Sequence, residues 1–220
     1  MDTPNANKPL RLGVLLSGGG RTLTNILQHI AAGRLNAQIV VVIASRPCKG
    51  IDLSRQAGLD VHLVSYKAMS DLNAYSSEIT KLLDAASVDL VIMAGFLSPW
   101  LIPDRYSGRV MNIHPALLPS FGGKGMYGHH VHQAVLARGC KVSGCTVHFV
   151  TNEYDCGPII MQKCVPVLEG DTADSLAARV FEQELIAYPE AISLYAQSRL
   201  RIDGQMVHVA DNNSTTGVRP

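Results

Sequence analysis

The sequence carries almost no excess charge of either sign. Its 19 lysine and arginine residues are matched by 18 aspartate and glutamate residues, which gives a formal net charge of +1 with histidine neutral. A protein that holds nucleic acid on a basic surface needs a large positive excess, so we expect no nucleic-acid partner. An anionic ligand would have to be bound locally, by a loop or by the end of a helix.

Long apolar stretches and paired cysteines are missing as well. No apolar run approaches the ~18 residues of a membrane-spanning helix, and residues 1–9 lack the apolar core of a secretory signal. The five cysteines are odd in number and form no C-x-x-C pair, which favours reduced thiols over a disulfide framework. These absences predict a cytoplasmic protein with no membrane partner.

Hydrophobic residues, in contrast, make up 47% of the chain against 17% charged residues, as in a globular protein with a large core. Apolar runs rich in valine and isoleucine alternate with segments of helical spacing. This alternation predicts a single-domain, Rossmann-like, doubly wound α/β fold with a mostly parallel sheet. We place this domain at residues 10–209, between a flexible N-terminus (1–9) and a flexible C-terminal tail (210–220). The predicted parallel strands are residues 11–17, 37–45, 60–64, 89–94 and 110–114.

The last third of the chain has a different pattern. Residues 142–150 and 159–167 follow each other closely, which predicts an extended pair without a helix between them. Residues 172–198 have helical spacing, and we expect Pro189 to break or kink this helix because proline lacks a backbone N–H. Asp203 and Gly204 form a hairpin turn signal between two short strands.

A glycine run, Gly18 to Gly20, follows the first predicted strand in the segment LLSGGGRTLTN. Open α/β sheets bind ligands there, since glycines let the backbone approach an anion and the next helix offers unpaired N–H groups. A dinucleotide site is the rival interpretation. However, Leu23 replaces its third glycine, and Ser45-Arg46 stands where an acidic residue would close the second strand. A phosphate monoester fits better, and glycines that serve a tight turn alone stay an open alternative.

The segment Asn112-Ile113-His114-Pro115 ends the fifth predicted strand. Strand alternation puts Asn112 and His114 on the same face. An amide donor beside an imidazole suits acyl transfer, in which a tetrahedral carbon carries a developing oxyanion. A purely structural histidine stays an open alternative. Asp155 lies in a turn between two extended segments, where it would reach His114 and hold its charged form.

Several segments together resemble a known enzyme family. They are SGGGRTLTN, AGFLSPW, NIHPALLPSFGGKGMYGHHVHQAVL, GCTVHFV and YDCGPII, in this order over about residues 10–200. They are similar to segments of the folate-dependent glycinamide ribonucleotide transformylases, or phosphoribosylglycinamide formyltransferases. The resemblance implies an enzyme of purine biosynthesis and one-carbon metabolism. It would transfer a formyl group from 10-formyltetrahydrofolate, its co-substrate, to the amine of 5′-phosphoribosylglycinamide, as a monomer or homodimer with small-molecule partners and no metal.

The resemblance also implies a role for each matching residue. Asn112 and His114 would stabilise the oxyanion, and Asp155 would keep His114 charged. The positions that match the family's phosphate loop and its substrate-contacting glutamate are Gly18, Gly19, Gly20, Arg21, Thr22, Leu23, Thr24 and Glu184. The positions that match its folate-binding residues are Leu97, Ser98, Pro99, Trp100, Asn112, Val150 and Asp155.

The chain departs from the family pattern in two places. Leu97-Ser98 replaces a Met-Arg pair, and Leu72 stands where some members have a folate-contacting arginine, so the folate-tail contacts are left open. Residues 121–132, which include Lys124, form a longer segment than in the best-known members. We expect this glycine-rich segment to be a mobile lid or substrate loop.

Two other functions stay open. One is another 10-formyltetrahydrofolate enzyme, either a hydrolase or an amino-sugar formyltransferase. The other is a nucleotide-binding module without catalysis, which the predicted catalytic set disfavours. His129, His130 and His132 cluster at a density typical of metal sites, but no cysteine or carboxylate of ligand spacing joins them. We therefore expect no metal.

Overall fold

The computed structural model describes residues 8–69 and 71–211. The strands are β1 (Leu10–Leu16), β2 (Ala37–Ala44), β3 (Val61–Leu63), β4 (Leu90–Ala94), β5 (Val110–His114), β6 (Val142–Phe149), β7 (Ile159–Pro166), β8 (Leu200–Asp203) and β9 (Met206–Val209). The helices are α1 (Arg21–Ala31), α2 (Lys49–Gln56), α3 (Leu72–Ala85), α4 (His129–Ala137) and α5 (Ala173–Ala196). Most of the two predicted flexible ends, 1–7 and 212–220, lies outside the described residues.

These strands form one sheet in the order β3-β2-β1-β4-β5-β6-β7-β9-β8. Strands β1 to β5 run parallel, whereas β6 is antiparallel to both β5 and β7. The predicted α/β fold with a mostly parallel sheet is confirmed, and so is the extended pair that follows it. The chain moves outward from β1 to β3 and returns on the other side of β1 with β4. Such a reversal opens a crevice at the carboxyl ends of the two central strands, where sheets of this class bind ligands.

Each face of the sheet packs against its own hydrophobic core. Leu12 and Val14 of β1 pack on one face with residues of α1, α2 and α5. Leu15, which points to the other face, packs with residues of α3. Because the central strands are covered on both sides, most of their residues are apolar on both faces. This explains the continuous apolar runs in the sequence.

Helix α5 contains Pro189 and nevertheless runs unbroken from Ala173 to Ala196, so the expected break is wrong. Proline removes the N–H that would bond the carbonyl four residues earlier, which here is that of Leu185. The side-chain amide of Asn25 in α1 donates to this carbonyl oxygen at 2.9 Å. Pro189 itself is buried. Packing and the replacement hydrogen bond therefore keep the helix continuous.

The predicted hairpin near the carboxyl end is confirmed. Strands β8 and β9 are antiparallel, and Asp203 pairs with Met206 across the turn. Gly204, in that turn, has a φ of 58°, a conformation that glycine adopts without strain. Among the described residues, no helix combines the length and the apolar character needed to cross a bilayer.

Candidate active site

The loop after β1 presents a row of unpaired backbone N–H groups. The N–H groups of residues 18–23 have no hydrogen-bond partner among the described residues. Helix α1 begins directly after Gly20, whose φ of 78° lies in the left-handed region. A Cβ on Gly20 would lie 3.0 Å from the Cα of Gly50 in α2, so the close packing of this loop requires glycine. Unpaired N–H groups at the start of a helix attract an anion.

Three side chains define the surroundings of this loop. The hydroxyl of Thr24 donates to the carbonyl of Gly20 at 3.0 Å, so it closes the first turn of α1. The guanidinium carbon of Arg21 lies 3.5 Å from the ring centroid of Phe181 in α5. Burial raises the pKa of Glu184, one turn further along α5, to about 7, and the charge of Arg21 opposes this rise. The structure thus brings Arg21 and Glu184 together between α1 and α5.

Ser17 connects the loop after β1 with the loop after β4. Its N–H donates to the carbonyl of Gly95 at 3.1 Å. Its hydroxyl lies 2.6 Å from the hydroxyl of Ser45 and accepts a hydrogen bond of 2.9 Å from the N–H of Leu97. The segments predicted to bind the two substrates are therefore hydrogen-bonded to each other at the crevice.

The residues predicted to bind folate occupy different environments. The side chain of Leu97 is 50% exposed, and Ser98 and Pro99 are half-buried. The indole of Trp100 is only 6% exposed and packs edge-on against Tyr106 in the core formed with α3. Trp100 therefore anchors the loop in the core, and its buried indole is not available to stack against a folate ring. The half-buried Val150 and Leu72 pack against the same core.

Asn112 and His114 lie at the end of β5, opposite β6. Asn112 is paired across the strands with His148, and its Nδ2 lies 3.3 Å from the Nε2 of that histidine. The Nδ1 of His148 donates to the carbonyl of Phe149 at 2.8 Å, which leaves Nε2 as an acceptor for the amide. Burial lowers the pKa of His148, which favours this neutral form. His148 therefore fixes the orientation of the Asn112 side chain.

Asp155 lies between the two histidines. Its Oδ2 is 3.6 Å from the Nδ1 of His114, and its Oδ1 is 3.7 Å from the Nε2 of His148. The N–H of Gly123 donates to Oδ2 at 2.9 Å. The Nε2 of His114 donates to the carbonyl of Phe121 at 2.8 Å. The structure thus brings Asn112, His114 and Asp155 together, and it adds His148, for which the motifs predicted no role.

The glycine-rich segment before α4 is shorter than expected. The predicted loop at residues 121–132 ends at Gly128, because His129 to His132 form the first turn of α4. Lys124 lies in a turn closed by the N–H of Met126 and the carbonyl of Gly123. His132 is 4% exposed, and burial lowers its pKa to about 4, so it packs inside the protein. Within the part of the chain that the structure describes, no group of three or more potential ligands could hold a metal ion.

Comparison with known proteins identifies the family. The sequence model of the formyl transferase family matches residues 10–192 of the chain. The chain belongs to the formyl transferase family. The resemblance inferred from the motifs is thereby confirmed, and so is the predicted class of enzyme, a formyltransferase.

Individual relatives of this formyl transferase agree. The phosphoribosylglycinamide formyltransferase of Escherichia coli is 36% identical over 197 residues, which cover 88% of this chain and 90% of that protein. The chloroplastic enzyme of the same name from Arabidopsis thaliana is 38% identical over 196 residues, 87% of this chain and 67% of that one. The solved structure of glycinamide ribonucleotide transformylase 1 from Symbiobacterium toebii superposes with a TM-score of 0.85 at 40% identity, covering 92% of this chain and 95% of that one.

Proposed function

We propose that this formyl transferase moves the formyl group of 10-formyltetrahydrofolate onto the amine of 5′-phosphoribosylglycinamide, a step of de novo purine biosynthesis. One observation carries the proposal: Asn112, His114 and Asp155 meet at the end of β5, in the same crevice as a loop suited to phosphate. The relatives described above are named for this reaction.

The loop after β1 binds the phosphate of the ribotide. Its unpaired N–H groups at residues 18–23 and the positive end of the α1 dipole both favour an anion. Glu184 contacts the ribotide from α5. Because its pKa is about 7, this carboxyl group exists in both protonation states near neutral pH. It can therefore donate or accept a hydrogen bond with a substrate hydroxyl.

The folate binds along the loop after β4. Leu97 offers an exposed apolar side chain, and the bond from its N–H to Ser17 holds the loop beside the phosphate site. Ser98 and Pro99 follow Leu97 in this loop and are half-buried, and the half-buried Val150 packs against the core formed with α3. The buried Trp100 keeps the loop in place from the core. We therefore propose that the formyl group lies between the folate loop and the end of β5.

The chemistry is a direct attack of the glycinamide amine on the formyl carbon. A C–N bond forms while the carbonyl electron pair moves to oxygen, and the resulting oxyanion accepts a hydrogen bond from Asn112. One N–H of this amide faces His148, so its other N–H is available. The charged imidazole of His114, balanced by Asp155, adds electrostatic stabilisation.

Collapse of the tetrahedral intermediate completes the transfer. The proton of the attacking nitrogen passes to a water held by Asp155, and from that water to N10 of the folate. The bond between the formyl carbon and N10 then breaks. The products are the formylated ribotide and tetrahydrofolate, with no covalent enzyme intermediate.

The proposal is tested by mixing the protein with a 10-formyl-folate analogue and following the folate absorbance with and without the ribotide. We expect deformylation of the analogue only when ribotide is present, and none with the folded variant Asp155→Asn. Release of the formyl group without ribotide would identify a hydrolase instead. Release that depends on an amino sugar in place of the ribotide would identify an amino-sugar formyltransferase.

A further inference from the structure

Arg46 lies beside the glycine loop and has no part in the reaction proposed above. It follows β2, the neighbour of β1 in the sheet, at the carboxyl end of both strands. Its Nε donates to the carbonyl of Ser17 at 2.7 Å. The two terminal nitrogens of its guanidinium group have no partner among the residues that the structure describes.

The bond to Ser17 holds this exposed side chain in a defined place. Ser17 is the residue directly before the glycine run, so the guanidinium group is attached at the edge of the loop with the unpaired N–H groups. Fixing a free arginine side chain costs up to ~2 kcal/mol of rotamer entropy, and here part of that cost is met before any ligand binds. The guanidinium group is planar, and its two terminal NH₂ groups can donate hydrogen bonds to two oxygens of one phosphate.

Two carbonyl groups at the start of the loop already accept hydrogen bonds. The carbonyl of Ser17 accepts from Arg46, and the carbonyl of Gly18 accepts from the N–H of Gly50 at 3.0 Å. An anion that binds in the loop therefore contacts N–H groups and a guanidinium group. Because these carbonyl oxygens already accept hydrogen bonds, they repel the anion less.

The other arginine of the loop has a different position. The guanidinium group of Arg21 is stacked on Phe181, near Glu184 of α5. Arg21 thus lies near a carboxyl group, whereas Arg46 forms no ion pair with an acidic side chain in the described structure. Arg46 is the better candidate to neutralise a phosphate dianion.

We propose that Arg46 is a ligand of the ribotide phosphate and makes the site select phosphorylated over unphosphorylated glycinamide ribosides. This inference rests on the proposed function, because it assigns the loop after β1 to that phosphate. The charge-assisted pair supplies binding that backbone N–H groups alone do not provide.

The test compares Arg46→Gln with the wild type on the ribotide and on its dephosphorylated riboside, at saturating formyl-folate. We expect kcat/KM for the ribotide to fall about 10- to 100-fold, as for one charge-assisted hydrogen bond, and kcat/KM for the riboside to stay unchanged. Arg46→Lys should retain part of the selectivity, because it keeps the charge and loses the fork. Arg34→Gln makes the same charge change in the exposed turn between α1 and β2, and it should leave kcat/KM for both substrates unchanged.

An equal loss on both substrates would overturn the inference, because it would mean that Arg46 merely holds Ser17 in place. Unchanged kcat/KM for the ribotide would overturn it too. Calorimetry with inorganic phosphate gives a readout that does not need turnover, and Arg46→Gln should bind it about 10-fold more weakly. If the wild type formylates no ribotide, the proposed function fails, and the phosphate titration still decides the role of Arg46.

Discussion

Replacing Asn112 with alanine removes the donor that the proposed oxyanion would use. Loss of one such donor costs about 3 kcal/mol in the transition state, which lowers kcat by about 10²- to 10³-fold. The change also removes the hydrogen-bond donor that lies 3.3 Å from the Nε2 of His148. The side chain of His148 is only 1% exposed, so water cannot replace this donor. A buried acceptor without a donor costs about 1–3 kcal/mol in the free energy of unfolding. The variant should therefore be slower and less stable.

Two measurements separate these effects. Single-turnover formyl transfer with both substrates saturating gives the chemical rate, and urea unfolding gives the stability. The matched control Asn73→Ala deletes an exposed amide on α3, and we expect it to change neither quantity. If folded Asn112→Ala protein turned over within tenfold of the wild type, the assignment of the oxyanion donor would be wrong.

Three further predictions concern other parts of the molecule. Burial raises the pKa of Glu184 from its ordinary value of 4.5 to about 7, so the folded state holds an extra proton between these values and stability falls as pH rises through them. Glu184→Gln should raise the urea midpoint at pH 8 and leave it unchanged at pH 4; an equal shift at both would contradict this. A Cβ in Gly122→Ala would lie 3.1 Å from the Cβ of Asp155, so displacement of the carboxylate should lower kcat by about tenfold or more, and a wild-type kcat would exclude it. Asn25→Ala should cost about 1–3 kcal/mol in urea unfolding, and adding Pro189→Ala should recover part by restoring a backbone N–H; a double variant no more stable than Asn25→Ala would refute the replacement bond.

Much of the fold could be predicted because burial on both faces leaves a direct trace in the sequence. The runs that became β1, β2, β4 and β5 are mostly apolar on both faces, and β4 is apolar at every position. Pro189 was misjudged because its effect depends on a distant residue, Asn25, which supplies the carbonyl with a donor. Local propensity contains no information about such a partner.

The site was predictable only in part. Strand alternation places Asn112 and His114 on one face, and the turn signal around Asp155 makes a contact plausible. The role of His148 needs the register between β5 and β6, which sets it opposite Asn112 and which no local pattern reveals. Likewise, Trp100 follows a loop motif in sequence, yet its indole is drawn into the core by Tyr106 and α3.

The hydrogen bond between Asn25 and the carbonyl of Leu185 also has a geometric consequence for substrate choice. It joins the helix that starts at the phosphate loop to the helix that carries Glu184, within one turn of each. The distance between the proposed phosphate site and the ribotide contact proposed for Glu184 is therefore set by two packed helices and not by a flexible loop. Because Pro189 lacks an N–H, the carbonyl of Leu185 is available to Asn25, and this bond fixes α1 against α5.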